Sequence, residues 1–169
     1  MTIRSASPGD IPAITGIYAH SVLHSAATFE VEPPSLEEMA RRYHDLQRAG
    51  FPYLVAERDN AVIGYAYTSL YRSRPAYRHT IEDSIYVHPD HLGQGLGKAL
   101  LGNLIQTCQQ REWRQMIAVI GDSGNLASIR LHQRFGFRHA GVLQGVGFKF
   151  GRWVDTVLMQ RELRNSVPT

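Results

Sequence analysis

The chain has 169 residues, 43% hydrophobic and 20% charged, a length and composition that suit one globular domain around one core. Its formal net charge of +3, from 18 basic and 15 acidic residues, is too mild for a nucleic-acid footprint, and no apolar run approaches the roughly 20 residues that cross a bilayer. The lone cysteine, Cys108, excludes an internal disulfide; with an opening, MTIRSASPGD, that lacks the apolar core of a secretory leader, it leads us to expect a reducing, cytoplasmic setting.

TIRSA reads as a short first strand. In SPGD, Ser7 suits a helix cap, Pro8 its first position and Asp10 its positive end. Ile11, Ile14, Tyr18 and Val22 then recur on one helical face. SLEEMARRYHDLQRAG is a second helix, with a capping box expected between Ser35 and Glu38 and a stop at Gly50. FPYLVAER, the Asp59-Asn60 pair and AVIGYAYTSLY form a hairpin. HTIEDSIYVHP is a strand that Pro89 ends. A helix follows from Gly95 to Gln110, then QMIAVI as a buried strand, then a helix over NLASIRLHQRFGF stopped at Gly136. FRHAGVLQGVGFKFGRWVDTVLMQREL closes as two strands that turn near Gly151. Strands and helices alternate, so one α/β domain over 1–169 is expected.

HPDHLGQGLGKALLGNLI places Gly93, Gly95 and Gly97 within five residues, directly before an apolar helical pattern. It is no P-loop: Leu92 stands five positions before Gly97, and Ala99 follows Lys98 where Ser or Thr is required. It is no dinucleotide fingerprint either, because from Gly93 the last glycine position falls on Lys98. The physics of the turn remains. Glycine admits positive φ and close backbone approach, successive N–H groups converge into an anion nest, and the helix adds its positive end. A pyrophosphate suits such a turn; a plain structural turn is the other reading.

All but two of the 18 basic residues are arginine, the side chain that grips carboxylates and phosphates in a planar fork. YRSRPAYR carries Arg72, Arg74 and Arg78, as a solvated loop or an anion site.

IYVHPDHLGQGLGKALL resembles the acetyl-coenzyme A motif of the GCN5-related N-acetyltransferases: a strand, then [Q/R]-x-x-G-x-[G/A], then a helix. Gly95 and Gly97 fill the two small positions, and Leu92 stands where Gln or Arg is usual. NLASIRLHQRFGF resembles that family's Asn-led helix ending in GF, with Asn125 leading and His132 where many relatives carry Tyr. SAATFEVEP, SLYRSRPAYRHTIEDSIYVHP and VGFKFGRWVDTVLMQ extend the resemblance, over nearly the whole chain, to the phosphinothricin and methionine sulfoximine or sulfone N-acetyltransferase branch. The resemblance implies a mixed central sheet flanked by helices, acetyl-CoA as co-substrate, a homodimer, and direct transfer to the α-amino group of a small amino acid analogue. It places the coenzyme on Ile85, Tyr86 and Val87 through their backbone, on Gly93, Gln94, Gly95, Leu96, Gly97 and Lys98, and on Asn125.

Such an amine is protonated at pH 7 and must lose a proton before it attacks. The resemblance makes Glu82 the base; the residues alone read it as an edge-strand charge facing water. Alternation puts Glu82, Ser84 and Tyr86 on one face of their strand, with Asp83 and Ile85 on the other. The leaving thiolate needs a proton. His132 is a candidate donor or a packed histidine, and helical spacing sets Asn125, Ser128 and His132 on one face. Arg72 and Arg74 are candidates for an acceptor carboxylate, with Phe29 and Tyr77 as walls. Trp153 belongs to core, dimer interface or pocket. His20 and His24 share a helical face but form no HExxH motif, and no metal is expected. A transferase for a peptide N-terminus or a polyamine, and a non-catalytic acyl-CoA sensor, share the glycine turn; the basic YRSRPAYR opposes a polyamine.

Overall fold

Alternating strands and capped helices form close to where the residue pattern sets them. The computed structural model describes residues 1–164. They run β1 (Thr2–Ser5), α1 (Ile11–His24), α2 (Leu36–Arg48), β2 (Tyr53–Arg58), β3 (Ala61–Leu70), β4 (Thr80–Val87), α3 (Leu96–Gln109), β5 (Gln115–Gly121), α4 (Leu126–Arg134), β6 (Arg138–Lys149) and β7 (Arg152–Glu162). Seven strands make one sheet in the order β1-β2-β3-β4-β5-β7-β6. The β4–β5 pair is parallel, and the other described pairs are antiparallel. This is the mixed sheet that the resemblance implied.

Two turns close as the sequence suggests. Asp59 and Asn60, at φ 52° and 62°, join β2 to β3, and Phe150 and Gly151, at φ 51° and 72°, join β6 to β7; left-handed pairs of this kind match the twist of a hairpin. Two helix starts differ. Pro8–Asp10 form a 3-10 turn ahead of α1, because the Asp10 carboxylate accepts hydrogen bonds from the Ser7 N–H at 2.7 Å and from two Arg4 nitrogens at 2.8 Å. At α2 only half of the expected box forms. The Ser35 hydroxyl accepts from the Glu38 N–H at 3.1 Å, but the Glu38 carboxylate turns along the helix to Arg41 and Arg42. Three charge-assisted bonds outcompete one backbone N–H.

Each face of the sheet has its own core. Alternation in β2 sends Tyr53 and Val55 to one side, where Ile11, Ile14, Ile17, Tyr18 and Val22 of α1 meet Met39 and Tyr43 of α2. It sends Leu54 and Ala56 to the other, against Leu96, Leu100, Leu101, Leu104, Ile105 and Cys108 of α3. With helices on both faces, an opening must form within the sheet or at its edge. It forms in the middle: β4 and β5 pair only from Thr80↔Gln115 to Asp83↔Ala118. Beyond that point β4 continues to Val87 on β3, and β5 continues to Gly121 on β7. The strands splay, and Ser84–Val87 turn an unpaired backbone edge toward the gap.

Candidate active site

The splay opens a cleft of about 550 Å³. One wall is β4 from Asp83 to Val87; the other is Ala118–Gly121 of β5 with Asn125, Ser128 and His132 of α4. The glycine turn closes one end. Gly93 and Gly95 have φ of 74° and 82°, and Gly95 is the N-cap of α3. A Cβ built on either would meet nothing within 4 Å. These glycines therefore serve the left-handed backbone that bares the first N–H groups of α3, and the space above them is open. An unpaired strand edge leading to a bare helix N-terminus fits an extended chain with amide groups and a pyrophosphate at its end. Acetyl-CoA has that form.

A smaller cavity, about 270 Å³, adjoins the cleft. Ala27, Ser84, Tyr86, Val119 and Gly121 line both spaces. Thr28, Phe29, Tyr67, Glu82 and Thr156 line the smaller one alone. Strand alternation sorts the chemistry as expected. Glu82, Ser84 and Tyr86 line the smaller cavity, whereas Asp83, Ile85 and Val87 line the cleft only.

The two neighbouring carboxylates have different surroundings. Burial raises the Glu82 carboxyl to about 7, the Asp83 charge adds to the rise, and Arg72 opposes it. A carboxyl at that value is a proton acceptor matched to neutral pH. Asp83 is buried, and its Oδ2 receives the His132 Nε2 at 3.0 Å. The His132 Nδ1 lies 2.8 Å from the Ser128 carbonyl. A carbonyl only accepts, so Nδ1 carries a hydrogen and donates to Ser128, while Nε2 and the Asp83 carboxyl share a hydrogen bond. Burial on its own pushes the ring pKa down, but the Asp83 bond and charge and the Ser128 carbonyl outweigh burial, and the net shift is upward.

The other expected residues divide. Ile85, Tyr86, Val87, Gly93, Gly95, Leu96, Gly97 and Asn125 line the cleft, and Phe29 lines the smaller cavity. Asn125 also caps α4, its Oδ1 accepting from the Ser128 N–H at 3.2 Å. Gln94 does not line the cleft; its amide bridges Arg58 and the Asp90 carbonyl. Lys98 is exposed and outside it. Arg72, Arg74 and Tyr77 stand on the exposed loop between β3 and β4 and line neither cavity. Arg72 lies over the Tyr71 ring, 4.3 Å from its centroid, near enough to Glu82 for its charge to act there. Sequence reasoning missed Asp83, whose partner is 49 residues away, and Tyr67, brought beside Ser84 by the β3–β4 register. Among the described residues, no group of three or more His, Cys, Asp or Glu could hold a metal ion, and no helix is long and apolar enough to cross a membrane.

A buried carboxyl of raised pKa in one cavity, a buried histidine–aspartate pair on a second, and a helix N-terminus beside splayed parallel strands suit an enzyme that moves an acyl group from a long phosphorylated carrier. The chain belongs to the acetyltransferase (GNAT) family, whose model matches residues 19–137, and it is an acetyltransferase. It is 57% identical to the phosphinothricin N-acetyltransferase of Alcaligenes faecalis, over 96% of this chain and 82% of that protein. It is 44% identical to the L-methionine sulfoximine/L-methionine sulfone acetyltransferase of Salmonella typhimurium, over 96% and 95%. The crystal structure of a phosphinothricin acetyltransferase from Sinorhizobium meliloti in complex with AcCoA superposes with a TM-score of 0.96 at 48% identity, covering 99% of this chain and 92% of that one.

Proposed function

We propose that this enzyme, as one domain over 1–169, acetylates the α-amino group of a small amino acid analogue, phosphinothricin or methionine sulfoximine or sulfone, by direct attack on acetyl-CoA. The observation that carries the reading is Glu82, raised to about 7 in a cavity that shares a wall with the coenzyme cleft. Phosphinothricin and methionine sulfoximine or sulfone, the acceptors that those two relatives' names give, each present an α-amino acid head. Acetyl-CoA supplies the acetyl thioester. The backbone of Ile85, Tyr86 and Val87, the glycine turn and Asn125 hold it; Gln94 and Lys98 contribute backbone to the turn.

Arg72, whose charge reaches Glu82, attracts the acceptor carboxylate with Arg74 from the exposed loop, and Phe29 flanks the acceptor side chain; Tyr77 stands outside the cavity and is not its wall. Glu82 takes the ammonium proton. His132, its pKa raised by Asp83, gives its Nε2 proton to the departing thiolate: the N–H bond breaks, an S–H bond forms, and a neutral imidazole remains beside Asp83. Cys108, buried in α3 as a free thiol, takes no part and fits a reducing, cytoplasmic setting.

Thiol release from acetyl-CoA tests the reading, with L-methionine sulfoximine, L-methionine sulfone, phosphinothricin, ordinary amino acids, spermidine and a short peptide as acceptors. The expected result is fast release with one of the first three and none with spermidine or peptide. Turnover of spermidine or peptide alone would overturn it.

The working unit is a homodimer. Val146, Phe148, Phe150 and Trp153 stand exposed along the β6–β7 hairpin, Trp153 at 70%, and β6 is an outer strand of the sheet. Apolar groups concentrated on an edge mark an interaction surface. Sedimentation is expected to give a dimer for the unmodified chain and a monomer for Trp153→Glu. An unmodified monomer at micromolar concentration would refute the assignment.

A further inference from the structure

Lys149 is 5% exposed and pairs with no carboxylate among the described residues. Its ammonium donates instead to two backbone carbonyls, Ser25 at 2.7 Å and Thr28 at 2.8 Å. Both belong to the segment that leaves α1, more than a hundred residues away. A buried ammonium is costly unless its hydrogen bonds are made, and these two bonds tie the last residue of β6 to the loop that follows α1.

That loop forms the wall of the acceptor cavity: Ala27, Thr28 and Phe29 all line it. Its fit to the sheet is close. A Cβ on Gly121 would stand 2.2 Å from the Ala26 carbonyl oxygen, and one on Gly147 would stand 2.4 Å from the Phe29 ring. Gly147 and Lys149 are two residues apart on β6, so they share a face: one seats the Phe29 ring, and the other holds the backbone on either side of Thr28. Thr28 is fixed from its own side chain as well, through the Tyr18 hydroxyl at 2.9 Å. Desolvation lowers the Lys149 pKa, with the Glu30 charge opposing, as burial among carbonyls requires.

We propose that Lys149 is a positioning residue for the acceptor: by holding the Ser25 and Thr28 carbonyls, it sets where Thr28 and Phe29 stand and so which amino acid side chains the cavity admits. The inference rests on the reading that this cavity takes the acceptor. Lys149 lines neither the cleft nor the cavity, so it acts through the loop and not by contact.

Lys149→Met keeps the length of the side chain and removes both donated bonds. Steady-state kinetics with L-methionine sulfone and phosphinothricin are expected to show the acceptor KM raised about tenfold. The preference between the two acceptors should narrow, with kcat within about threefold and acetyl-CoA affinity by calorimetry unchanged. A purely structural lysine would lower the apparent kcat through loss of folded enzyme and leave the acceptor KM and preference where they were. Unchanged acceptor KM and preference would overturn the proposal. Should the methionine variant not fold, Lys149→Arg keeps the buried cation but alters its reach. It must then shift the acceptor preference, and an unaltered preference overturns the proposal equally. Phe29→Ala separates the two levels. If it leaves the acceptor KM unmoved, the cavity is not the acceptor site and the underlying reading fails. If it moves KM while the Lys149 variants do not, only the role of Lys149 fails.

Discussion

Glu82→Gln is expected to lower kcat by about 10²–10⁴-fold, the usual worth of a general base, with acetyl-CoA affinity unchanged. Glutamine keeps the shape and cannot take a proton. Because burial and the Asp83 charge raise Glu82 to about 7, kcat/KM of the unmodified enzyme should climb with pH through about 7 and then level. The variant should lose that limb. Stability moves the other way. The folded value lies above the unfolded 4.5, so between those values the native state holds the extra proton. By linkage its stability falls as pH rises from about 4.5 to about 7, and the deficit is complete above that. Glu82→Gln should therefore be more stable than the unmodified chain at pH 8, by roughly 1–3 kcal/mol, in urea denaturation. A less active but more stable variant cannot owe its loss to misfolding. Retention of full activity with the pH limb intact would show that another group is the base.

This opposition of activity and stability arises at Glu82 from its neighbours on β4. Glu82 is held at its raised value by burial and by Asp83, and Asp83 is hydrogen-bonded in the core by His132. Strand alternation gives each carboxylate a different cavity, and the backbone edge that β5 leaves unpaired begins just beyond them, at Ser84. Under the proposed reaction the acid and the base need not share a pocket, since Ser84 and Tyr86 line both spaces and join them.

Much of this was legible in local pattern. The glycine turn and α3, the Asp59-Asn60 hairpin, and the sorting of Glu82 from Asp83 follow from backbone conformation and period, which neighbours in sequence decide. What was not legible depends on register and on distant partners. Nothing in HTIEDSIYVHP or QMIAVI says that their strands pair for four residues and then part. Nothing near Asp83 announces His132, and nothing near Thr28 announces Lys149. Gln94 and Lys98 were assigned to the coenzyme from their place in a motif. The turn works through N–H groups that any side chain leaves available, so those two side chains are free to face elsewhere. Arg72, Arg74 and Tyr77 share a quoted segment with Glu82 but sit outside the cavity, because the loop between β3 and β4 leaves the sheet before β4 begins.

The Asp83–His132 pair carries the largest expected loss of stability. Both side chains are buried, and removing one partner of a buried ion pair typically costs about 3–5 kcal/mol, since the other charge stays behind unpaired. Domains of this kind hold only about 5–15 kcal/mol in total, so His132→Ala should unfold at markedly lower urea. Asp83→Asn alone should also destabilise, because it leaves the Nε2–H without an anion. The double variant should lose less than the sum of the single losses, with a coupling of roughly 1–3 kcal/mol. The pH dependence has a definite sign. The folded His132 pKa lies above the ordinary 6.5, so its contribution is complete below 6.5 and disappears as pH rises through the folded value. That part of the urea midpoint should decline with rising pH in the unmodified chain and be absent from the His132→Ala profile. It runs over and above the Glu82 trend, and the two separate in the Glu82→Gln background. Additive single losses would mean that the two side chains do not stabilise each other, and a His132→Ala profile parallel to that of the unmodified chain would mean that His132 does not gain a proton on folding. The proton for the leaving thiolate would then have to come from solvent.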